Sequence, residues 1–240
     1  MKTKSCWGTP PSRLYRFIRR LQSEDRQDCK VCVVGASDGK FVLPFLRRGF
    51  HVTAYEVDKV ALFGGDKEFP IDRDHIQKME YVPSDKNPEY QKVPSAKKEI
   101  LGLVKRVEAE GYGHLFTLKE EDFYKNPPQD PYDIVFTSCS IPYEINFATP
   151  ISIIMSVLLN CVSVHGYLYM DYIMPLEDSH DWRPEHYFRT GSVRKYFQND
   201  CWKVIHLYEM SKPIFEAAHV DRPEDHFHRF GYILAKRLRI

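Results

Sequence analysis

The feature that most constrains the fold is a short β-branched run that leads into a turn with two glycines. Residues Lys30–Ala36 are apolar almost throughout, which is typical of a strand buried on both faces of a parallel sheet. The turn Ser37–Gly39 follows, then an amphipathic helix that ends at Arg48–Gly49, and His51–Val57 predicts a second strand. Strand, turn, helix and strand in this order predict a βαβ unit, which requires a parallel sheet.

Apolar periodicity predicts that strands and helices continue to alternate along the chain. Further strands are predicted at Leu115–Leu118, Tyr132–Ser138 and Tyr167–Met174, and helices at Ser12–Leu21, Ala96–Glu110, Ile151–Val162 and Pro184–Phe197. Two last strands, Trp202–Met210 and Phe227–Leu238, have no helix between them and should pair antiparallel. The sequence therefore predicts an α/β, Rossmann-like fold: a mostly parallel seven-stranded sheet, an antiparallel C-terminal strand pair, and helices on both faces.

The length and the breaks in the pattern predict the domain organisation. A chain of 240 residues commonly forms one α/β domain, so we expect a single domain over 1–240. Residues 1–28 form a polar and basic N-terminal extension with a helix. Residues 64–96 contain two adjacent glycines and several prolines, which indicates an insertion or a lid loop.

The net charge and the spacing of the cysteines limit which ligands and cellular compartments we expect. Lys and Arg number 34 against 33 Asp and Glu, so the chain has no electrostatic footprint for nucleic acid. Cys29 and Cys32 form a CxxC pair without a second pair at zinc-site spacing, so we expect no metal site and reduced thiols in a cytoplasmic protein. The N-terminus has no apolar signal core. We expect a monomer or a homodimer that does not bind membranes.

The loop Gly35–Gly39 and Glu56 are typical of a nucleotide-type cofactor site. Small residues let the backbone approach a ligand, and an acidic residue at the end of the second strand accepts hydrogen bonds from ribose hydroxyls. The loop lacks the third glycine of the pyrophosphate-binding pattern, since Lys40 and Phe41 follow Gly39. S-adenosylmethionine (SAM) contains no phosphate, so the loop favours SAM over a dinucleotide.

Over about residues 30–175, these motifs and the order of elements resemble the class I SAM-dependent methyltransferases. The resemblance implies a methyltransferase that binds SAM and releases S-adenosyl-L-homocysteine. Ser37 stands where the family usually has the central glycine of the first motif, which leaves the path of the loop open. Asp122 and Phe123 match the pair that flanks the adenine. The resemblance assigns cofactor binding to Gly35, Ala36, Ser37, Asp38, Gly39, Glu56, Val57, Asp122, Phe123, Ser138 and Cys139.

The segment Gly49–Asp58 and the C-terminal motifs around His186–Arg189 and His228–Arg229 resemble the thiopurine and tellurite-resistance type methyltransferases. This resemblance implies a small-molecule acceptor. Histidine, arginine and aromatic residues after the fourth strand are the acceptor-side candidates, because carboxyl ends of strands face the ligand and histidine is the natural base near neutral pH. The predicted catalytic residues are Tyr143, His186 and His228, and the predicted acceptor-binding residues are Ser140, Tyr143, His180, Trp182, Tyr187, Arg189 and Arg229.

The tetrapeptide Ser140–Tyr143 bears on which atom is methylated only if it is functional. It stands where methyltransferases that act on planar nitrogens carry [DNS]PPY, with Ile141 in place of the first proline. A functional tetrapeptide indicates N-methylation of a metabolite or natural product, and a plain strand-to-loop turn is the alternative. Two other functions stay open. Basic stretches at Arg13–Arg20 and Lys92–Lys105 suit a nucleic-acid or protein methyltransferase, and the Ser37 departure suits a SAM-binding regulatory protein without catalysis.

Overall fold

The computed structural model describes residues 4–26, 28–71, 73, 76, 79–83, 92–177, 186–220 and 222–239. The helices in these residues are α1 Ser12–Ser23, α2 Val42–Leu46, α3 Lys59–Phe63, α4 Leu103–Ala109 and α5 Ile151–Asn160. The strands are β1 Lys30–Val34, β2 His51–Tyr55, β3 Gly65–Pro70, β4 Ser95–Ile100, β5 Phe116–Lys119, β6 Tyr132–Ser138, β7 Val162–Met174, β8 Trp202–Glu209, β9 Ile214–Glu216 and β10 His226–Arg237. Short 3₁₀ helices lie at Gly113–Leu115, Glu144–Asn146 and Ser192–Phe197.

The main sheet has the strand order β5-β2-β1-β6-β7-β10-β8, and β9 pairs with the beginning of β10. Strands β5, β2, β1, β6 and β7 run parallel, whereas β10 is antiparallel to both β7 and β8. The connections reverse direction between β1 and β6, and in open α/β sheets such a switch point is where ligands bind. The predicted fold is confirmed: the sheet is Rossmann-like, mostly parallel, and ends in an antiparallel C-terminal pair.

The core lies on both faces of this sheet, as the apolar run of β1 predicted. Val31 and Val33 pack into the apolar cluster on one face, and Cys32 and Val34 pack into the cluster on the other. Helix α1 covers the first face, with its apolar side chains fully or almost fully buried there. The cofactor loop that follows β1 is therefore anchored by a strand with two buried faces.

The prediction of a helix over Ala96–Glu110 is wrong in its first half. Residues Ser95–Ile100 are strand β4, which pairs antiparallel with β3 in a two-stranded ribbon outside the main sheet. Gly64 and Gly102 cross at the base of this ribbon, where a Cβ on Gly102 would lie 2.2 Å from the Gly64 nitrogen. Cross-strand pairing thus overrides the helix propensity of an Ala- and Lys-rich segment. Within the predicted insertion or lid over 64–96, the structure describes β3 and the start of β4, whereas residues 72, 74, 75, 77, 78 and 84–91 lie outside the described residues. A lid there stays a prediction.

Two other elements begin at different residues from those predicted. Strand β7 begins at Val162 rather than Tyr167, because Val162 pairs with Tyr132 before the ladder shifts register. Within the predicted helix Pro184–Phe197, the described residues are helical only at Ser192–Phe197, as a 3₁₀ helix that follows Gly191 with φ of 74°. Helix α3 and strands β3 and β9 were not predicted.

Candidate cofactor and acceptor site

A cavity of about 1190 Å³ lies at the carboxyl edge of the parallel strands. The ends of β1, β2, β6 and β7 form its floor, and the N-terminal segment and the β9–β10 ribbon contribute further walls. Of the residues predicted for the site, those lining the cavity are Gly35, Ser37, Glu56, Val57, Asp122, Phe123, Ser138, Cys139, Ser140, Tyr143, Tyr187 and His228. His180 and Trp182 lie outside the described residues. Most of the predicted site residues that the structure describes therefore line one cavity.

Glu56 fixes the loop between β1 and α2. Its carboxylate accepts hydrogen bonds from the backbone nitrogens of Ser37 at 2.7 Å, Val57 at 2.8 Å and Asp58 at 2.9 Å. Ser37 has φ of 49°, in the left-handed region that glycine adopts more readily. The hydrogen bond to the Glu56 carboxylate therefore helps to hold Ser37 in a backbone conformation that glycine adopts without strain. Serine can thus occupy the position where the family usually has the central glycine.

The same loop touches the end of β6. Gly35 has φ of 70°, and a Cβ there would lie 2.8 Å from the Ser140 Cβ. The Ser140 hydroxyl lies 2.5 Å from the Thr137 hydroxyl and 3.1 Å from the Tyr124 hydroxyl, while its carbonyl accepts from Asn146 Nδ2 at 2.9 Å. Glycine at position 35 is thus needed both for its backbone conformation and for this close approach.

Asp38 faces away from the cavity, although it was predicted to bind cofactor. Its buried carboxylate accepts from the Ser5 hydroxyl at 2.7 Å and the Cys6 nitrogen at 2.8 Å, and it pairs with buried Arg106 at 3.1 Å. Cys6 and Trp7 themselves line the cavity. Asp38 therefore holds the N-terminal segment against the site. Ala36 and Gly39 also shape the loop without lining the cavity.

Asp171 is a cavity residue that sequence reasoning missed. It lies on β7, is 3% exposed, pairs with Arg13 at 3.0 Å, and accepts from the Ser138 hydroxyl at 3.1 Å. Burial raises the pKa of the Asp171 carboxyl, and Arg13 only partly offsets this. Burial likewise raises the pKa of the neighbouring Cys139 thiol to about 12, so this thiol is protonated at neutral pH.

Phe123 and Asp122 follow β5, where the adenine-flanking pair was predicted. Phe123 is buried edge-on against Tyr55, with ring centroids 5.0 Å apart. Asp122 accepts from the Tyr124 nitrogen at 3.0 Å and pairs with Lys125 at 3.1 Å. The pair presents an apolar ring edge and a carboxylate at one wall of the cavity.

A second cluster of polar residues comes from the β9–β10 ribbon. Glu216 Oε2 lies 3.0 Å from His228 Nδ1, 3.6 Å from His226 Nε2 and 3.7 Å from His219 Nε2, and all four residues line the cavity. Burial would raise the pKa of the Glu216 carboxyl, but the facing imidazoles outweigh burial and lower it. The signal for this cluster was present in the sequence, since His226 and His228 are two residues apart and share one face of a strand.

Three other described residues that were predicted for the acceptor side do not line the cavity. Arg229 is buried, and it donates to the carbonyls of Met210, Pro175 and Leu176 at 3.1–3.3 Å. His186 Nε2 lies 2.9 Å from the Asn146 carbonyl oxygen, and Arg189 also lies outside the cavity wall. Arg229 is therefore placed to hold loops together.

Solved structures of methyltransferases are similar to this chain at low sequence identity. TehB from Haemophilus influenzae matches with a TM-score of 0.63 at 13% identity, over 95% of this chain and 62% of the TehB chain. Magnesium protoporphyrin IX methyltransferase from Synechocystis PCC 6803 matches at 13% identity, over 94% of this chain. The TM-score is 0.53 with bound SAM, over 78% of that chain, and 0.55 with bound SAH, over 82%. No family model and no curated protein matches the sequence.

These similarities show that the chain has the Rossmann-like fold of class I methyltransferases, as predicted. The chain spans about 62% of the length of TehB. Among the described residues, no helix has the length and apolarity that crossing a membrane would require.

Proposed function

We propose that this protein is a SAM-dependent methyltransferase that transfers the methyl group to a small molecule, with S-adenosyl-L-homocysteine as the product. The observation that carries this proposal is the geometry of Glu56. At the end of β2 in a methyltransferase fold, its carboxylate fixes the glycine-containing loop and lines the large cavity at the switch point.

The residues around the cavity fit SAM. Glu56 lines the cavity and, like any carboxylate, has lone pairs beyond the three hydrogen bonds it accepts, so it can take up ribose hydroxyls. Gly35 packs against Ser140 and contributes only backbone atoms to the cavity wall, where the methionine moiety can approach, and the edge of Phe123 suits the adenine. The loop lacks the third glycine of the pyrophosphate-binding pattern, which disfavours a dinucleotide as the cofactor.

The chemistry needs mainly positioning. Bound SAM would supply a methyl group on a sulfonium, ready for in-line displacement, and holding two reactants in line lowers the barrier to such a step. A general base is needed only for an acceptor that must lose a proton. Of the two histidines predicted as catalytic, His228 lines the cavity, whereas the His186 ring contacts the Asn146 carbonyl. We therefore assign the base role to His228, and Tyr143 to the acceptor wall.

The size and walls of the cavity support a small acceptor. Its volume of about 1190 Å³ exceeds the ~300–1,000 Å³ of a typical small-ligand pocket, which leaves room for a second molecule beside the cofactor. We propose nitrogen as the methylated atom because Ser140 and Tyr143 of the tetrapeptide both line this cavity.

Calorimetry with SAM and S-adenosyl-L-homocysteine tests the cofactor, and transfer of a labelled methyl group from SAM tests the activity. We expect both compounds to bind, and label to enter an extracted metabolite pool but not transfer RNA or protein. A folded protein that binds neither compound would contradict the cofactor assignment. Binding without transfer to any pool would favour a regulatory protein.

A further inference from the structure

The β9–β10 ribbon brings one carboxylate and two imidazoles together. Glu216 and His226 are directly opposite each other in the antiparallel pairing, and His228, two residues further on, shares the face of His226. One possible ligand atom from each of these residues lies within 4.8 Å of the other two. The ribbon extends past the end of β7, since Arg229 is already paired with Met174, so the three side chains sit at the rim of the cavity.

Hydrogen bonding determines which atom His226 presents to this cluster. His226 Nδ1 lies 2.9 Å from the Glu224 carbonyl oxygen, which can only accept, so Nδ1 carries the proton. In the neutral ring, Nε2 then has a lone pair, and it faces Glu216 Oε2 at 3.6 Å. A histidine whose second ring nitrogen donates to a backbone carbonyl is the arrangement that metal ligands use to fix their tautomer.

His228 can add a third lone pair, in the tautomer that carries its proton on Nε2. Its side chain is 9% exposed, and its Nδ1 is buried 3.0 Å from Glu216 Oε2 without forming a hydrogen bond of good geometry. Lone pairs that face one another at such distances repel unless positive charge lies among them. Either a proton on one of the imidazoles or a metal cation can supply that charge.

We propose that Glu216, His226 and His228 bind a divalent transition-metal ion of the zinc type. Two imidazoles and one carboxylate are a common ligand set for such ions, and three protein ligands leave a coordination position open. All three residues line the cavity, so an ion held by them would be accessible from the space assigned to the acceptor. In the part of this inference that rests on the proposed function, the metal would coordinate an oxygen, nitrogen or sulfur atom of the acceptor and orient it. His228, as a ligand, could then not act as the base, and the charge of the metal would take over that role by easing loss of the acceptor's proton.

The test uses the full chain without an affinity tag, treated with a chelator and then titrated with Zn²⁺ by calorimetry and with Co²⁺ by visible absorption. We expect one equivalent of either ion, a Co²⁺ spectrum of low-symmetry coordination, and a higher melting temperature with Zn²⁺. Glu216→Gln and His228→Gln should each weaken Zn²⁺ binding at least ~10-fold. His51→Gln, which changes an exposed histidine on β2, should bind as the wild type does.

Each outcome decides between the metal site and an alternative. A wild type without a saturable site near one equivalent would overturn the proposal and leave a cluster neutralised by protonated imidazoles. Equal binding by the wild type and both folded variants would show an adventitious ion only. Melting temperatures without metal establish that the variants are folded. SAM binding by the same samples separates the two proposals: metal binding without SAM binding would refute the proposed function alone, and the converse would refute the metal site alone.

Discussion

Glu56 connects the end of β2 to the cofactor loop through a single carboxylate. Three backbone N–H groups on two segments point at its oxygens, so the side chain organises the loop before any ligand arrives. Hydrogen bonds to a charged acceptor are among the stronger ones in proteins. Cofactor affinity should therefore depend on Glu56 in two ways, through ribose contacts and through the shape of the loop.

We predict that Glu56→Ala weakens SAM binding by about 2–4 kcal/mol, because it removes a charged acceptor that serves both the loop and the ribose. Calorimetry on the folded variant measures the change. Glu108→Ala, which removes an exposed glutamate from α4, is the matched control and should leave the affinity unchanged. Wild-type affinity in Glu56→Ala would remove the ribose assignment.

Gly231 on β10 has no room for a side chain. A Cβ there would lie 2.1 Å from the buried ring of Tyr172, whose hydroxyl donates to Glu209 at 2.8 Å. We predict that Gly231→Ala lowers the free energy of unfolding by about 1–3 kcal/mol, as overpacking a core commonly does. Urea denaturation measures this. Gly113→Ala, at a glycine with open space around it, should change stability by less than about 0.5 kcal/mol.

Helix α4 is attached to the site through a buried ion pair. Arg106 and Asp38 are 3% and 2% exposed, and Arg106 also donates to the Asp38 carbonyl. We predict that Arg106→Met costs about 3–5 kcal/mol of unfolding free energy, because it leaves the Asp38 carboxylate buried without its cation. The neighbouring Lys105→Met, on the exposed side of α4, should cost less than about 0.5 kcal/mol. Equal effects in chemical denaturation would mean that the pair contributes nothing specific.

Elements with strong periodicity were predicted well, and those defined by distant partners were not. Strands β1 and β6 are apolar on both faces, so their buried position follows from composition alone. Strand β4 is almost wholly exposed and is defined by its pairing with β3, which local propensity does not encode. Short β9 likewise exists because the beginning of β10 extends beyond β7 and pairs with it.

The residues of the candidate site likewise fall into those that the sequence predicts and those that only the fold brings to the cavity. Glu56 stands at a fixed place in a βαβ unit, so spacing alone found it. Glu216 reaches the cavity because β9 pairs with the beginning of β10, which runs antiparallel beside β7. Asp171 reaches it because β7 pairs in parallel with β6, opposite Ser138. Only the folded topology reveals that the two histidines of β10 have a carboxylate opposite them.

The sheet buries acidic groups as neutral species, and this has a consequence for the whole molecule. Burial raises the pKa of the Cys161 thiol from 9.0 to about 11, of the Cys139 thiol from 9.0 to about 12, and of the Tyr232 phenol from 10.0 to about 12. In the unfolded chain these groups lose their protons near their ordinary pKa. As the pH rises, these groups therefore ionise in the unfolded chain before they ionise in the folded chain, which favours unfolding.

We predict that the free energy of unfolding falls as the pH rises above about 9, by up to about 1.4 kcal/mol per pH unit for each group that is ionised only in the unfolded chain. Below about pH 8 these groups are almost fully protonated in both states and contribute little slope. Urea denaturation at pH 8, 9, 10 and 10.5 measures the decline. Cys161→Ala removes one such group, so its stability should fall less steeply between pH 9 and 10.5 than that of the wild type, whatever its stability at pH 8. Parallel curves for the two proteins would show that the Cys161 thiol titrates alike in the folded and unfolded chains.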